Sequence, residues 1–131
     1  MTIPQFIETV FSKWGEAIKP SVGNGYSMEN STIVNELPYA TLFFMGLPTN
    51  TITLEGQEAT FTPSVQVDIY TKGQKALSQA YEIDNLSHES LLKMRFRRSS
   101  GPELIQSTDP SIKRLTSRYT RVVGYADGLD D

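Results

Sequence analysis

A change of period at Gly73 constrains the fold of this chain more than any other feature. Residues 64–71 (SVQVDIYT) alternate strictly, with Val65, Val67 and Ile69 on one side and Gln66 and Asp68 on the other. That period of two is the mark of a strand. Past Gly73 the period lengthens. Ala76, Ala80, Ile83, Ser87, Leu91 and Met94 recur at helical spacing, with Leu77 and Tyr81 widening the stripe, and predict a helix over residues 74–94. A strand feeding directly into an amphipathic helix needs a partner layer for each apolar face.

The flanking segments supply those partners. Ile3, Phe6, Ile7, Val10, Phe11, Trp14 and Ile18 predict a first helix over residues 2–19. Thr2 and Gln5 have capping-box spacing, and Pro20 is expected to stop the helix. Residues 20–36, rich in Gly, Asn and Ser, read as a loop with a short strand near Thr32 to Val34. Residues 38–46 (PYATLFFMG) suit a buried strand. The polar stretch 47–62, turning at Glu55-Gly56, reads as a hairpin projecting from the body. Two β segments, 96–108 and 111–126, meet at a turn on Asp109-Pro110, and residues 126–131 form an acidic tail expected to fray.

At 131 residues the chain suits a single domain, 1–131. Strands joined by short turns favour antiparallel pairing, so the expected class is α+β. The architecture is an antiparallel sheet of four to five strands with two helices packed on one face.

Little here points to catalysis. There is no cysteine, which removes thiolate chemistry and Cys-ligated metals. His88 is the single histidine, so a multi-histidine metal site is excluded. Ser, His and Asp all occur, but there is no G-x-S-x-G elbow. Glu82 and Asp84 are two apart on a helix and point to different sides, while Glu55 and Glu58 flank a turn. Gly23 and Gly25 lack both the P-loop Lys-Ser/Thr and the dinucleotide spacing. No run of about 18 apolar residues could span a membrane, and the first residues lack the features of a signal peptide. The expectation is no enzyme, no cofactor and no metal.

Charge is the informative quantity. Residues 93–121 carry eight cations and two anions (+6), whereas the rest carries four cations and thirteen anions (−9). Arg95, Phe96, Arg97, Arg98, Arg118, Tyr119 and Arg121 mix cations with aromatics, as single-stranded nucleic-acid surfaces do. Against this, the RNP pattern is missing and the chain is acidic overall, at −3. The same segregation suits a chain that binds copies of itself, a basic face meeting an acidic one.

The order of motifs carries a resemblance. VQVDIYTKG (Val65–Gly73), MRFRRSSGPE (Met94–Glu103) and KRLTSRYTRV (Lys113–Val122), with the opening helix, resemble the small tail-completion, or tail-terminator, proteins of long-tailed phages and of prophages in Gram-positive bacteria. The similarity spans about residues 1–125 and rests on overall pattern. It implies a non-enzymatic virion protein at the head–tail junction. Such a protein forms a hexameric ring that caps the tail-tube protein, ends polymerisation and docks on the head connector protein, while DNA passes through without specific binding. In such subunits a long hairpin points toward the ring centre or the tube, here residues 47–62. Other head–tail connector or head-closure rings, and a nucleic-acid module using residues 93–121, remain alternatives. The oligomer-interface residues inferred from charge are Arg97, Arg98, Arg114, Arg118, Arg121, Glu55, Glu58, Glu82 and Asp84.

Overall fold

The computed structural model describes residues 3–28, 37–46, 62–106, 108–121 and 123. The expected short strand near Thr32 to Val34, the tail 126–131 and the 47–62 hairpin, save Thr62, lie outside the described residues. Helix α1 spans Ile3–Val22 and strand β1 spans Tyr26–Ser27. Strands β2 (Tyr39–Gly46) and β3 (Ser64–Lys72) follow. Helix α2 (Ala76–Lys93) leads to β4 (Arg97–Ile105) and β5 (Ile112–Thr120).

Pro20 does not end α1. It forgoes only the N–H that would have reached the Glu16 carbonyl, so the final turn survives. The stop comes at Gly23, in the left-handed region at φ 62°, whose N–H donates to the Lys19 carbonyl at 2.7 Å.

The five strands form one mixed sheet in the order β1-β2-β3-β5-β4. β1 runs parallel to β2, and the other neighbours are antiparallel. The alternation of β3 sets the sidedness of the whole sheet. Val65 stands opposite Phe44 and Tyr119, Val67 opposite Leu42 and Ser117, and Ile69 opposite Ala40 and Leu115. This is the inner side, and both helices pack on it. Phe6, Val10, Trp14 and Ile18 of α1 join Ile83 and Leu91 of α2 and the strand residues Ala40, Leu42, Val65, Val67, Ile69, Leu115 and Tyr119 in one buried cluster, with Phe44 packed against it. Trp14 ties the helices together by donating from Nε1 to Ser87 Oγ at 2.8 Å. Burying such side chains contributes roughly 1.5–3 kcal/mol each.

One expectation about α2 is corrected. Leu77 and Tyr81 do not widen the buried stripe of α2. They are 43% and 44% exposed, because the helix rests on the sheet along the Ala76–Ala80–Ile83–Ser87–Leu91 line and turns these two outward. The polar side of β3 is buried as well: Gln66 is 8% exposed and Asp68 0%.

The β4–β5 connection is held locally. Asp109 accepts from Ser111 N–H at 2.9 Å and Ser111 Oγ at 2.6 Å, while Ile112 N–H reaches the Asp109 carbonyl at 3.0 Å. Gly101, at φ 93°, sits where the register of β4 against β5 shifts between Ser100 and Glu103. A Cβ there would lie 2.5 Å from the Thr116 carbonyl oxygen and 2.8 Å from Ser117 Cα. Gly101→Ala is therefore expected to lower stability by about 2 kcal/mol or more, read as a reduced urea midpoint with unchanged slope.

Candidate functional site

Two polar networks, one on each side of the sheet, hold Arg98, Arg114 and Arg118, three of the eight cations of residues 93–121. The outer network is built on Asp68, at the middle of β3. Its Oδ1 accepts from Thr116 Oγ1 at 2.8 Å and from Gln66 Nε2 at 3.1 Å, and its Oδ2 accepts from Arg114 Nη2 at 3.1 Å. Gln66 Oε1 accepts in turn from Arg118 Nε at 3.1 Å. Registry places all these groups on one side, since Asp68 faces Thr116, Gln66 faces Arg118 and Tyr70 faces Arg114 across β3 and β5. The Arg114 guanidinium also lies 5.7 Å from the Tyr70 ring centroid. A buried carboxylate without these donors would be untenable, because desolvation strongly disfavours an unpaired charge.

The inner network joins α2 to the sheet edge. Arg98 of β4 donates from Nη2 to both Asp84 oxygens, each at 3.0 Å. It also donates to Tyr119 Oη from Nε at 3.0 Å and from Nη2 at 2.6 Å. Ser117 Oγ reaches Asp84 Oδ1 at 3.3 Å. His88 Nδ1 lies 3.0 Å from Tyr119 Oη. Burial pushes the Tyr119 hydroxyl up to about 12, with Arg98 opposing, so it keeps its proton. Because Arg98 fills the acceptor positions of that oxygen, its proton is directed at His88 Nδ1. The tautomer that completes this contact carries the imidazole proton on Nε2. Burial, then the adjacent guanidinium, lower the His88 pKa, while Asp84 and Glu89 act the other way. This is a linkage between layers, joining α2 to β4 and β5.

The residues expected at an interface divide by these networks. Arg98 and Asp84 bind each other within the chain, Arg114 binds Asp68, and Arg121 donates from Nη1 to the Met94 carbonyl. Arg97 and Glu82 are exposed, and Arg118 is exposed while holding Gln66. Arg97 faces Thr120 and Arg118 faces Ser100, so both cations lie on the outer side of the sheet. Glu55 and Glu58 lie outside the described residues. Sequence reasoning missed Asp68 and Tyr119 as network centres. The signal for Asp68 was present, as a lone carboxylate within an otherwise strong strand. Among the described residues no group of three or more His, Cys, Asp and Glu could hold a metal. No described helix is long and apolar enough to cross a membrane.

Asp68→Ala leaves Arg114 and Thr116 without their acceptor in a buried setting. It is expected to destabilise by about 2–4 kcal/mol, with Arg114→Met partly restoring stability in the double variant, as a thermodynamic cycle would show. The lowered pKa of His88 has a definite sign. The unfolded chain takes up its proton first as pH falls below about 6.5, so stability is full above that value and is lost progressively as pH falls through it. His88→Gln keeps an acceptor for Tyr119 and is expected to remove that part of the decline in urea titrations across this range.

No protein-family model matches the chain, and no curated protein does. Among solved structures, the fold is shared with a chain of the virion of a native gene transfer agent (GTA) particle. The TM-score is 0.57 at 10% identity, over 85% of this chain and 88% of that one.

Proposed function

We propose that this chain is a structural virion protein of the phage type, a ring-forming subunit that completes the tail and joins it to the head. The observation that carries this reading is the shared fold with a virion subunit over most of both chains. It coincides with the resemblance of the Val65–Gly73, Met94–Glu103 and Lys113–Val122 motifs to tail-completion proteins. In this reading six copies close into a ring on the end of the tail tube, stop its growth and present a surface to the head connector. Among the described residues, Arg97, Arg118 and Glu82 are the inferred interface residues that remain exposed. Arg98, Arg114 and Arg121 support them indirectly by fixing the layers on which they stand. A second reading, another ring of the head–tail connector, draws on the same fold likeness and differs in which neighbour the ring meets.

The nucleic-acid alternative loses ground on geometry. Arg98 and Arg114 are neutralised by carboxylates in the chain, and Arg121 is 5% exposed against the Met94 carbonyl. Phosphate binding relies on cations free to displace counterions. Particles assembled without this protein are expected to comprise full heads with unjoined or overlong tails in negative-stain micrographs. Normal joined virions would overturn the proposal, and empty or leaking heads with normal tails would favour the head-closure reading.

A further inference from the structure

The two layers of the fold leave two unlike surfaces. On the helical side, α2 exposes Leu77 (43%), Tyr81 (44%) and Leu92 (48%). Helical geometry places these three within about 60° of one another on a single flank. Beside that flank stand the exposed carboxylates Glu82 and Glu89, with Lys93 at the last turn. On the opposite side, the outer face of the sheet presents half-buried Tyr39, Phe43 and Tyr70 together with exposed Arg97 and Arg118. Aromatic residues and arginine with little lysine are the composition that distinguishes protein-binding surfaces from the remainder of a protein.

We infer that the outer sheet face of one subunit docks on the α2 flank of a second copy of this chain. Charge complementarity selects that occupant. The sheet face offers Arg97 and Arg118 as exposed cations, and the α2 flank offers Glu82 and Glu89 as exposed anions next to an unpartnered apolar stripe. Arg97 faces Thr120 and Arg118 faces Ser100, so the two cations lie diagonally on adjacent strands β4 and β5, with the exposed Glu103, opposite Thr116, further along the same side. The intrachain networks also hold the geometry. Arg118 is braced by Gln66, which is braced by Asp68, and α2 is clamped by the Asp84–Arg98 pair.

The two surfaces lie on opposite sides of a two-layer body. A contact between them is therefore heterologous, and repeated copies follow one another head to tail, in a ring if the rotation closes and in an open filament if it does not. This rests on the ring reading above and adds which faces build the ring.

The absence of cysteine from the chain makes the test direct. Arg118→Cys and Glu82→Cys are prepared as single variants, mixed, and oxidised, both as purified chain and in assembled particles. Mixed disulfide dimers are expected to exceed either symmetric dimer. The double variant is expected to give a ladder ending in one closed species. Arg118→Glu alone is expected to weaken self-association about tenfold, and Glu82→Arg in the same chain to restore it. Both positions are exposed, and circular dichroism verifies the fold of each variant.

If rings form but only symmetric dimers, or none, are trapped, the face assignment is overturned while the ring proposal stands. If no oligomer forms in either preparation and particles lacking the protein are normal, both fall. If Arg118→Glu instead abolishes retardation of duplex DNA at low salt with self-association unchanged, the sheet face belongs to nucleic acid and the inference is overturned.

Discussion

Burial of β3 on both of its sides is the constraint on which the structure depends. As the third of five strands it pairs with β2 and β5, and nearly every residue from Val65 to Ile69 is excluded from water. The inner side resolves this with Val65, Val67 and Ile69 against the two helices. The outer side carries a carboxylate, and an ionised Asp68 can remain there only with donors on each oxygen. Thr116, Gln66 and Arg114 meet that demand. Two of the three come from outside β3, so the register of β5 is tied to the charge on Asp68.

Part of the charge that looks free in the linear chain is thus committed in the folded one. Arg98 and Asp84 are fourteen residues apart, and Arg114 and Asp68 forty-six. Each pair crosses from one element to another. The pairs hold α2 to the sheet edge and β5 to β3, and they leave Arg97 and Arg118 as outward-facing cations of the sheet. A stripe of basic residues has been converted into two internal braces and a smaller, directional surface. That economy suits a subunit whose partners are defined by orientation, since electrostatic complementarity sets register more than affinity.

Much of the fold was legible because hydrophobic period is a local property. The stripe of α1, the alternation of β3 and the buried line of α2 are each visible within fewer than twenty residues. What was misread required knowing a neighbour. Leu77 and Tyr81 fit the helical stripe but lie beyond the width that the sheet can cover. Pro20 is a helix breaker in isolation, yet near a C-terminus it removes one hydrogen bond and the helix ends at the left-handed Gly23 instead. The candidate site was legible only in part. The cations of residues 93–121 stood out by composition, but the partners of Arg98 and Arg114 could not be paired from sequence.

By itself the sequence determined the α+β class, the two helices, the strand at the centre and the segregation of charge, since these follow from periodicity and composition along the chain. Only the tertiary structure decided which arginines are spent inside the molecule and which remain outside. Registry between β3, β4 and β5 sorts side chains onto two sides, and burial compels any charge enclosed there to find its opposite. The same sorting places exposed Arg97 and Arg118 on one face of the body and the apolar flank of α2 on the other.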